Sequence, residues 1–312
     1  MNVDNFKSIL QEILNSDVAN IKLYATTKQN ETKKISISSD VSDNLLELFK
    51  KSIEDMFLDQ DKEYRLKSID DNNDEAAKTY YYFNGENTYE RLNVLHNLSS
   101  LDEEVFNFEN TNLDDIETFY ITISNGEKTI ALYKKNYAIN VLRRGKTIFF
   151  TKHNENIDEL KKDILKIDHS FQFMAIENNI LIVNLSMLET QLGYDEVITK
   201  KAQETVELIA SLDFLEDIAK LEEMVQTKKI AKKINLVKNS QVLDIIQSDI
   251  NKVKTFIDSI EDLKKSLKFT EDNKLKLNSK VGVERFLKLL DDAYLKSELT
   301  ETLYDSLNKE KM

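Results

Sequence analysis

Apolar residues recur along this chain in two rhythms, one helical and one alternating. Near the start, Phe6, Ile9, Leu10, Ile13 and Leu14 fall at helical spacing. Ile21, Leu23 and Ala25 then alternate with polar neighbours, as do Ile35 and Ile37, and the turn-type residues from Thr26 to Thr32 predict a hairpin. Ser39 and Asp40 are N-cap candidates for a second helix, with an apolar face of Leu45, Leu46, Phe49, Ile53 and Phe57. Residues 1–58 thus read as a helix–hairpin–helix unit.

The rhythm fades over 59–116, which reads as an acidic linker or solvated excursion. Asp70, Asp71, Asn72, Asn73 and Asp74 suggest an exposed loop, and Tyr80 to Phe83 a short strand before Asn84-Gly85. Alternation returns over 117–195, the expected β-rich domain. Phe119, Ile121 and Ile123 lead into Ser124-Asn125-Gly126, and Ile130 and Leu132 follow; Asn-Gly between alternating runs is a strong hairpin signal. Tyr137 to Leu142 predicts a short helix and Thr147 to Phe150 a strand. Phe171, Phe173 and Ala175, the Glu177-Asn178-Asn179 turn, then Ile180 and Ile182 predict a second hairpin, followed by a helix from Ser186 to Leu192 that Gly193 closes.

Over 196–312 the pattern is mainly helical. It runs from Val197 to Met224 with a break near Ser211-Leu212-Asp213, then from Ile230 to Leu243 and Ile245 to Leu267. A small hairpin is expected around Glu271-Asp272-Asn273. A last helix carries Val283, Phe286, Leu287 and Leu290, with Tyr294, Leu295, Leu299 and Leu303 continuing its face. The fold class is α+β: an N-terminal α/β unit, a central antiparallel sheet with hairpins, and a mainly helical C-terminal third.

The 312 residues contain no Cys, so thiolate metal sites, disulfides and a Cys nucleophile are excluded. No secretory signal opens the chain and no run of about 18 apolar residues spans a bilayer, which predicts a cytoplasmic location. Peripheral attachment at the inner face of a membrane, through a partner, stays open. The net charge of −13 is uneven: residues 54–117 hold 18 acids and 5 bases, while the rest of the chain is balanced. Overall acidity therefore does not exclude a polyanionic partner.

Catalytic signals are weak. His96, His153 and His169 have no metal-ligand spacing, and HExxH, GxxxxGK[ST], GxGxxG and GxSxG are absent. Asp168-His169-Ser170 names the residues of a triad, but consecutive residues cannot converge on one reacting atom. No cofactor and no metal is expected. A metal-dependent nuclease using unidentified carboxylates stays open as an alternative, without a residue pattern to support it.

Two acid-free windows stand out instead. Residues 128–154 carry Lys128, Lys134, Lys135, Arg143, Arg144, Lys146 and Lys152, and Gly145 leaves the Arg-Arg-Gly-Lys turn free to present its cations. Their aromatic companions Tyr133, Tyr137, Phe149 and Phe150 read as sheet core rather than base-stacking platforms. Residues 225–243 carry Lys228, Lys229, Lys232, Lys233 and Lys238. On a helix Lys228/Lys232 and Lys229/Lys233 are i,i+4 pairs whose mutual repulsion a polyanion would relieve. Two readings follow: phosphate contact, or a solvated surface that pairs with the acidic 54–117 segment. A third function stays open as well, an interaction scaffold whose acidic 54–117 segment docks a basic partner.

Three blocks carry a family resemblance. IETFYITISNGEKTIALYKKNYAINVLRRGKTIFF resembles the central domain of KwaB-like proteins, FQFMAIENNILIVNLSMLETQLGY the hairpin and short helix that follow, and VERFLKLLDDAYLKSELTETLYDS the C-terminal end. Order and spacing agree over about residues 117–308; Glu301 departs from the glycine usual there. The resemblance implies the cytosolic component of the Kiwa anti-phage defence system. It further implies a DNA-binding effector without evident nuclease chemistry, encoded with the membrane protein KwaA and forming homo-oligomers. The residue choices are independent of it: Lys134, Lys135, Arg143, Arg144, Lys146, Lys228, Lys229, Lys232, Lys233 and Lys238 for DNA, and the Val283 to Tyr304 face for homo-oligomerisation.

Overall fold

A computed structural model describes residues 1–29, 31–69, 78–98, 101, 104–109, 112–142, 150–153, 156–160, 163–296 and 303–305. The described residues fall into two compact units, one within Met1–Leu188 and one within Glu189–Met312.

The first unit is built on one eight-stranded sheet, and the fold class is α+β as expected. Helix α1 (Val3–Leu14) precedes strands β1 (Asn20–Thr27) and β2 (Thr32–Ile35). Helix α2 (Ser39–Ile53) widens at its end into a π turn, Glu54–Leu58. Then come β3 (Arg65–Ser68), β4 (Thr79–Asn84), the single turn α3 (Val94–Asn97), β5 (Ile116–Ser124) and β6 (Thr129–Lys135). Short strands β7 (Val141–Leu142), β8 (Phe150–His153), β9 (Asn156–Glu159) and β10 (Ile164–Leu165) precede the hairpin β11 (Phe173–Ile176) and β12 (Asn179–Ile182). The order across the large sheet is β2-β1-β5-β6-β11-β12-β4-β3, antiparallel throughout except for the parallel β3–β4 pair.

The sheet joins segments that the sequence assigned to three separate units. β1 pairs with β5 along eight positions, so the N-terminal hairpin is continuous with the central strands, and the excursion over 59–116 supplies β3 and β4. Alternation explains the seam. Leu23, Ile121, Leu132, Met174 and Leu181 form one cross-strand row on the face that α1 and α2 cover. One residue along, Tyr24, Tyr120, Tyr133, Phe173, Ile182 and Tyr81 form a row on the opposite face. Tyr133 stacks edge-on between Tyr120 and Phe173, at centroid distances of 5.5 and 5.2 Å. The π turn places Phe57 against Phe6, ring centroids 5.4 Å apart, and both rings are fully buried. Burial of such a side chain contributes roughly 1.5–3 kcal/mol. At the β5–β6 turn Gly126 takes φ 95°, and Asn125 Oδ1 accepts from the backbone N–H of Glu127 and Lys128.

Helix α4 (Leu185–Thr190) leads into the second unit, and left-handed Gly193 separates it from α5 (Tyr194–Ser211). Helices α6 (Ala219–Val225), α7 (Lys228–Leu236), α8 (Gln241–Ser248), α9 (Ile250–Ser259) and α10 (Glu261–Ser266) follow. Next come the hairpin β13 (Lys268–Phe269)–β14 (Leu275–Lys276), helix α11 (Lys280–Leu290), and the pair β15 (Tyr294–Lys296)–β16 (Leu303–Asp305). The long helical stretches expected from periodicity are cut into short helices by local caps. Ser240 Oγ accepts from Val242 N, Asp249 Oδ1 from Asn251 and Lys252 N, and Ser279 Oγ from Gly282 N.

Two expectations change. Tyr137 to Leu142 is a 3₁₀ turn followed by β7 rather than a helix. The last helix ends at Leu290, where Asp292 turns the chain with φ 52°, so Tyr294 and Leu295 lie on a strand; Leu299 lies outside the described residues. Val283, Phe286, Leu287, Leu289 and Leu290 are buried within the folded chain. On α11 that face is core, so these five side chains are not available to a second copy.

Candidate polyanion-contacting surface

The first basic window is sorted by strand alternation. Lys134 pairs with Phe119 across the sheet and shares a face with Leu132, so its side chain points into the core layer. It is 2% exposed. Its ammonium donates to Asp168 Oδ1 at 2.6 Å, to the Ser170 carbonyl at 2.9 Å and to Ser170 Oγ at 3.0 Å. Ser170 also donates to Asp168 Oδ1 through its hydroxyl and its backbone N–H. Burial would raise the Asp168 carboxyl, but the hydrogen bonds from Lys134 and Ser170 outweigh it and hold the group well below the usual carboxylate range. Lys134 is therefore withdrawn from the DNA-contact set: a buried charge held by three acceptors is part of the fold.

Asp168 and Ser170 meet, then, but around a lysine; His169 contributes its carbonyl, which accepts from Ser52 Oγ at 3.0 Å. Lys128 is bound to Glu12 at 2.7 Å. Lys135 is half-buried on the other face of β6, its backbone N–H donating to Gln172 Oε1 at 2.8 Å. Arg143, Arg144 and Lys146 lie outside the described residues. Of the aromatics, Tyr133 is sheet core, whereas Tyr137 and Phe150 are exposed, contrary to expectation; Phe149 lies outside the described residues.

Helical periodicity sorts the second window in the same way. On α7, Lys228, Lys232 and Asn235 share the side that meets α5, where Asn235 Nδ2 donates to the Ile198 carbonyl at 3.0 Å. Glu189, at the end of α4, is buried beside them. Its Oε1 lies 2.6 Å from Lys232 Nζ, and its other oxygen pairs with Lys228. The side chains of Lys232 and Glu189 are 10% and 2% exposed. The i,i+4 repulsion of Lys228 and Lys232 is thus answered by one carboxylate of the same chain. Lys232 is withdrawn from the DNA-contact set for the same reason as Lys134, and Lys228 is half engaged. Lys229 and Lys238 are exposed, and Lys233 is half-buried beside Lys229 on the outer side of the helix.

Glu189 was not singled out from the sequence. Its only sequence signal was a lone acid in an apolar turn, Met187-Leu188-Glu189, where a helix must bury one face. Among the described residues no group of three or more His, Asp or Glu gathers to hold a metal ion. None of the described helices is long and apolar enough to cross a membrane. A cavity of about 250 Å³ in the first unit is lined by Ile9, Ile13, Leu95 and Ile176 together with His96, Glu127, Lys128 and Glu177.

Outside its own residues, the chain is 27% identical over 322 aligned positions to the Kiwa protein KwaB of Escherichia coli O55:H7 (strain RM12579 / EPEC), covering 100% of this chain and 99% of that protein. No solved structure matches. Residues 113–300, which span β5 to β15, match the Kiwa protein KwaB-like family. The chain belongs to that family.

Proposed function

We propose that this Kiwa component is an anti-phage defence effector that binds DNA through a lysine surface and does no chemistry on it. Its contacts are Lys229, Lys233 and Lys238 on the outer side and end of α7, with Lys228 at the margin, Lys135 on β6, and Arg143, Arg144 and Lys146. The observation that carries the reading is the outer side of α7. Among the described residues no ion pair answers the i,i+4 repulsion of Lys229 and Lys233, the helix has no acidic residue, and Glu189 neutralises the inner pair, Lys228 and Lys232. The protein acts beside a membrane protein of the KwaA kind, on the cytoplasmic side, as a homo-oligomer. Fluorescence anisotropy with labelled duplex, with and without Mg²⁺ or Mn²⁺, tests it. Salt-dependent binding with the duplex left intact is expected; cleavage would replace this reading by the nuclease, and absence of binding at low salt would end it.

A further inference from the structure

The hairpin β8–β9 stands apart from the large sheet as a two-stranded sheet of its own. Its register pairs Phe150 with Glu159 and Lys152 with Ile157. Directly paired residues and their i+2 neighbours share a face, so Phe150, Lys152, Ile157 and Glu159 form one four-residue square. Phe150 is 64% and Ile157 71% exposed. On the other face Thr151, Asn156 and Asp158 are exposed as well. A lone two-stranded hairpin with both faces in water is marginal, and two large apolar side chains on one face ask for a cover.

Within the square the apolar residues occupy one diagonal and the charges the other. A twofold axis along the Phe150–Ile157 diagonal stacks a second copy face to face. It sets Phe150 on Phe150 and Ile157 on Ile157, and it brings Lys152 of each chain over Glu159 of the other. The pattern is its own complement, which an isologous interface requires. A polyanion fits poorly, since Glu159 and two aliphatic or aromatic groups would face its phosphates.

We infer that the β8–β9 hairpin is a self-docking surface whose occupant is the same hairpin of a second copy. This rests on the homo-oligomer of the proposed function, and it moves the interface from α11 to the hairpin. Eight residues per chain bury well under the about 800 Å² per partner of a standard interface, so association in the micromolar range is expected.

Charge reversal on the full chain tests it, read by sedimentation over a concentration series. Lys152→Glu places like charges opposite each other on both sides of the axis, and so does Glu159→Lys. Each should weaken self-association about tenfold or more. An equimolar mixture of the two variants opposes unlike charges again and should associate as well as the original protein. Both changes are at exposed positions, and circular dichroism confirms the fold. If the original protein self-associates and neither reversal weakens it, the hairpin is not the interface, while the oligomer stands. If both weaken it and the mixture does not recover, the twofold arrangement is wrong. If the original protein is monomeric up to tens of micromolar, the oligomer reading itself falls, and this one with it.

Discussion

The two acid-free windows look alike in sequence and fold by different rules, yet each gives up a lysine to a carboxylate from outside its own stretch. In the first unit, two-residue alternation turns Lys134 under the sheet, where Asp168 holds it from 34 residues further on. In the second, the 3.6-residue period turns Lys232 toward α4 and α5, where Glu189 holds it. An acid-free run of chain is therefore not an acid-free environment. Lysines that remain outside include those that alternation or helical phase points away from the core: Lys135 and Lys152 in the one, Lys229 and Lys233 in the other.

The deeper of the two pairs should be the more costly to break. Glu189→Ala leaves the ammonium of Lys232 buried without a partner and should cost about 3–5 kcal/mol, seen as a lower urea midpoint. Adding Lys232→Met to Glu189→Leu should recover most of that loss, since apolar groups can replace a buried ion pair. A Glu189→Ala midpoint equal to the original would show that Lys232 escapes to water.

Asp168→Ala should cost less, about 2 kcal/mol, because a third of the Asp168 side chain reaches solvent, which can rehydrate the ammonium. This pair also has a pH signature. The folded-state pKa of Asp168 is depressed, so its contribution is whole above the unfolded value of about 4 and is lost as pH falls from there toward the folded value. The gap between Asp168→Ala and the original protein should be full at pH 7 and shrink in urea titrations below about pH 4. A constant gap would mean that packing, not charge, holds Lys134.

The lysines proposed to contact DNA should reverse the pattern, with little effect on stability and a large one on DNA binding. Lys229→Glu with Lys233→Glu should change stability by less than about 0.5 kcal/mol each, while the salt slope of DNA binding falls by about 0.9 for each lost phosphate contact. Lys232→Glu, in contrast, should lower the urea midpoint first. Arg143→Ala with Arg144→Ala should flatten the slope by the same amount per contact, without the added repulsion of a carboxylate. Anisotropy titrations over a range of salt give each slope; an unchanged value removes the pair from the interface.

Much of the local structure was legible. The β1–β2, β5–β6, β11–β12 and β13–β14 hairpins sit where alternation and turn residues placed them, because strand period and turn chemistry are short-range. The failures lie where distant segments compete. The helix continued past Leu290 in sequence because Tyr294 and Leu295 keep the apolar spacing; the turn at Asp292 and the pairing of β15 with β16 override it. Phe150 reads as sheet core by composition, yet among the described residues its strand pairs with β9 alone and joins no larger sheet.

By itself the sequence determined the α+β class, the absence of thiol chemistry, the two basic windows and the family blocks, all of which depend on residue type and spacing over a few neighbours. Tertiary structure alone decided which lysines are free. That depends on the faces to which Lys134 and Lys232 turn and on the arrival of Asp168 and Glu189 beside them. Pairing β1 with β5 brings together strands about a hundred residues apart, and no periodicity within either strand specifies its partner. The charge a surface presents is a sum over such long-range encounters, so it exists only once the chain has folded.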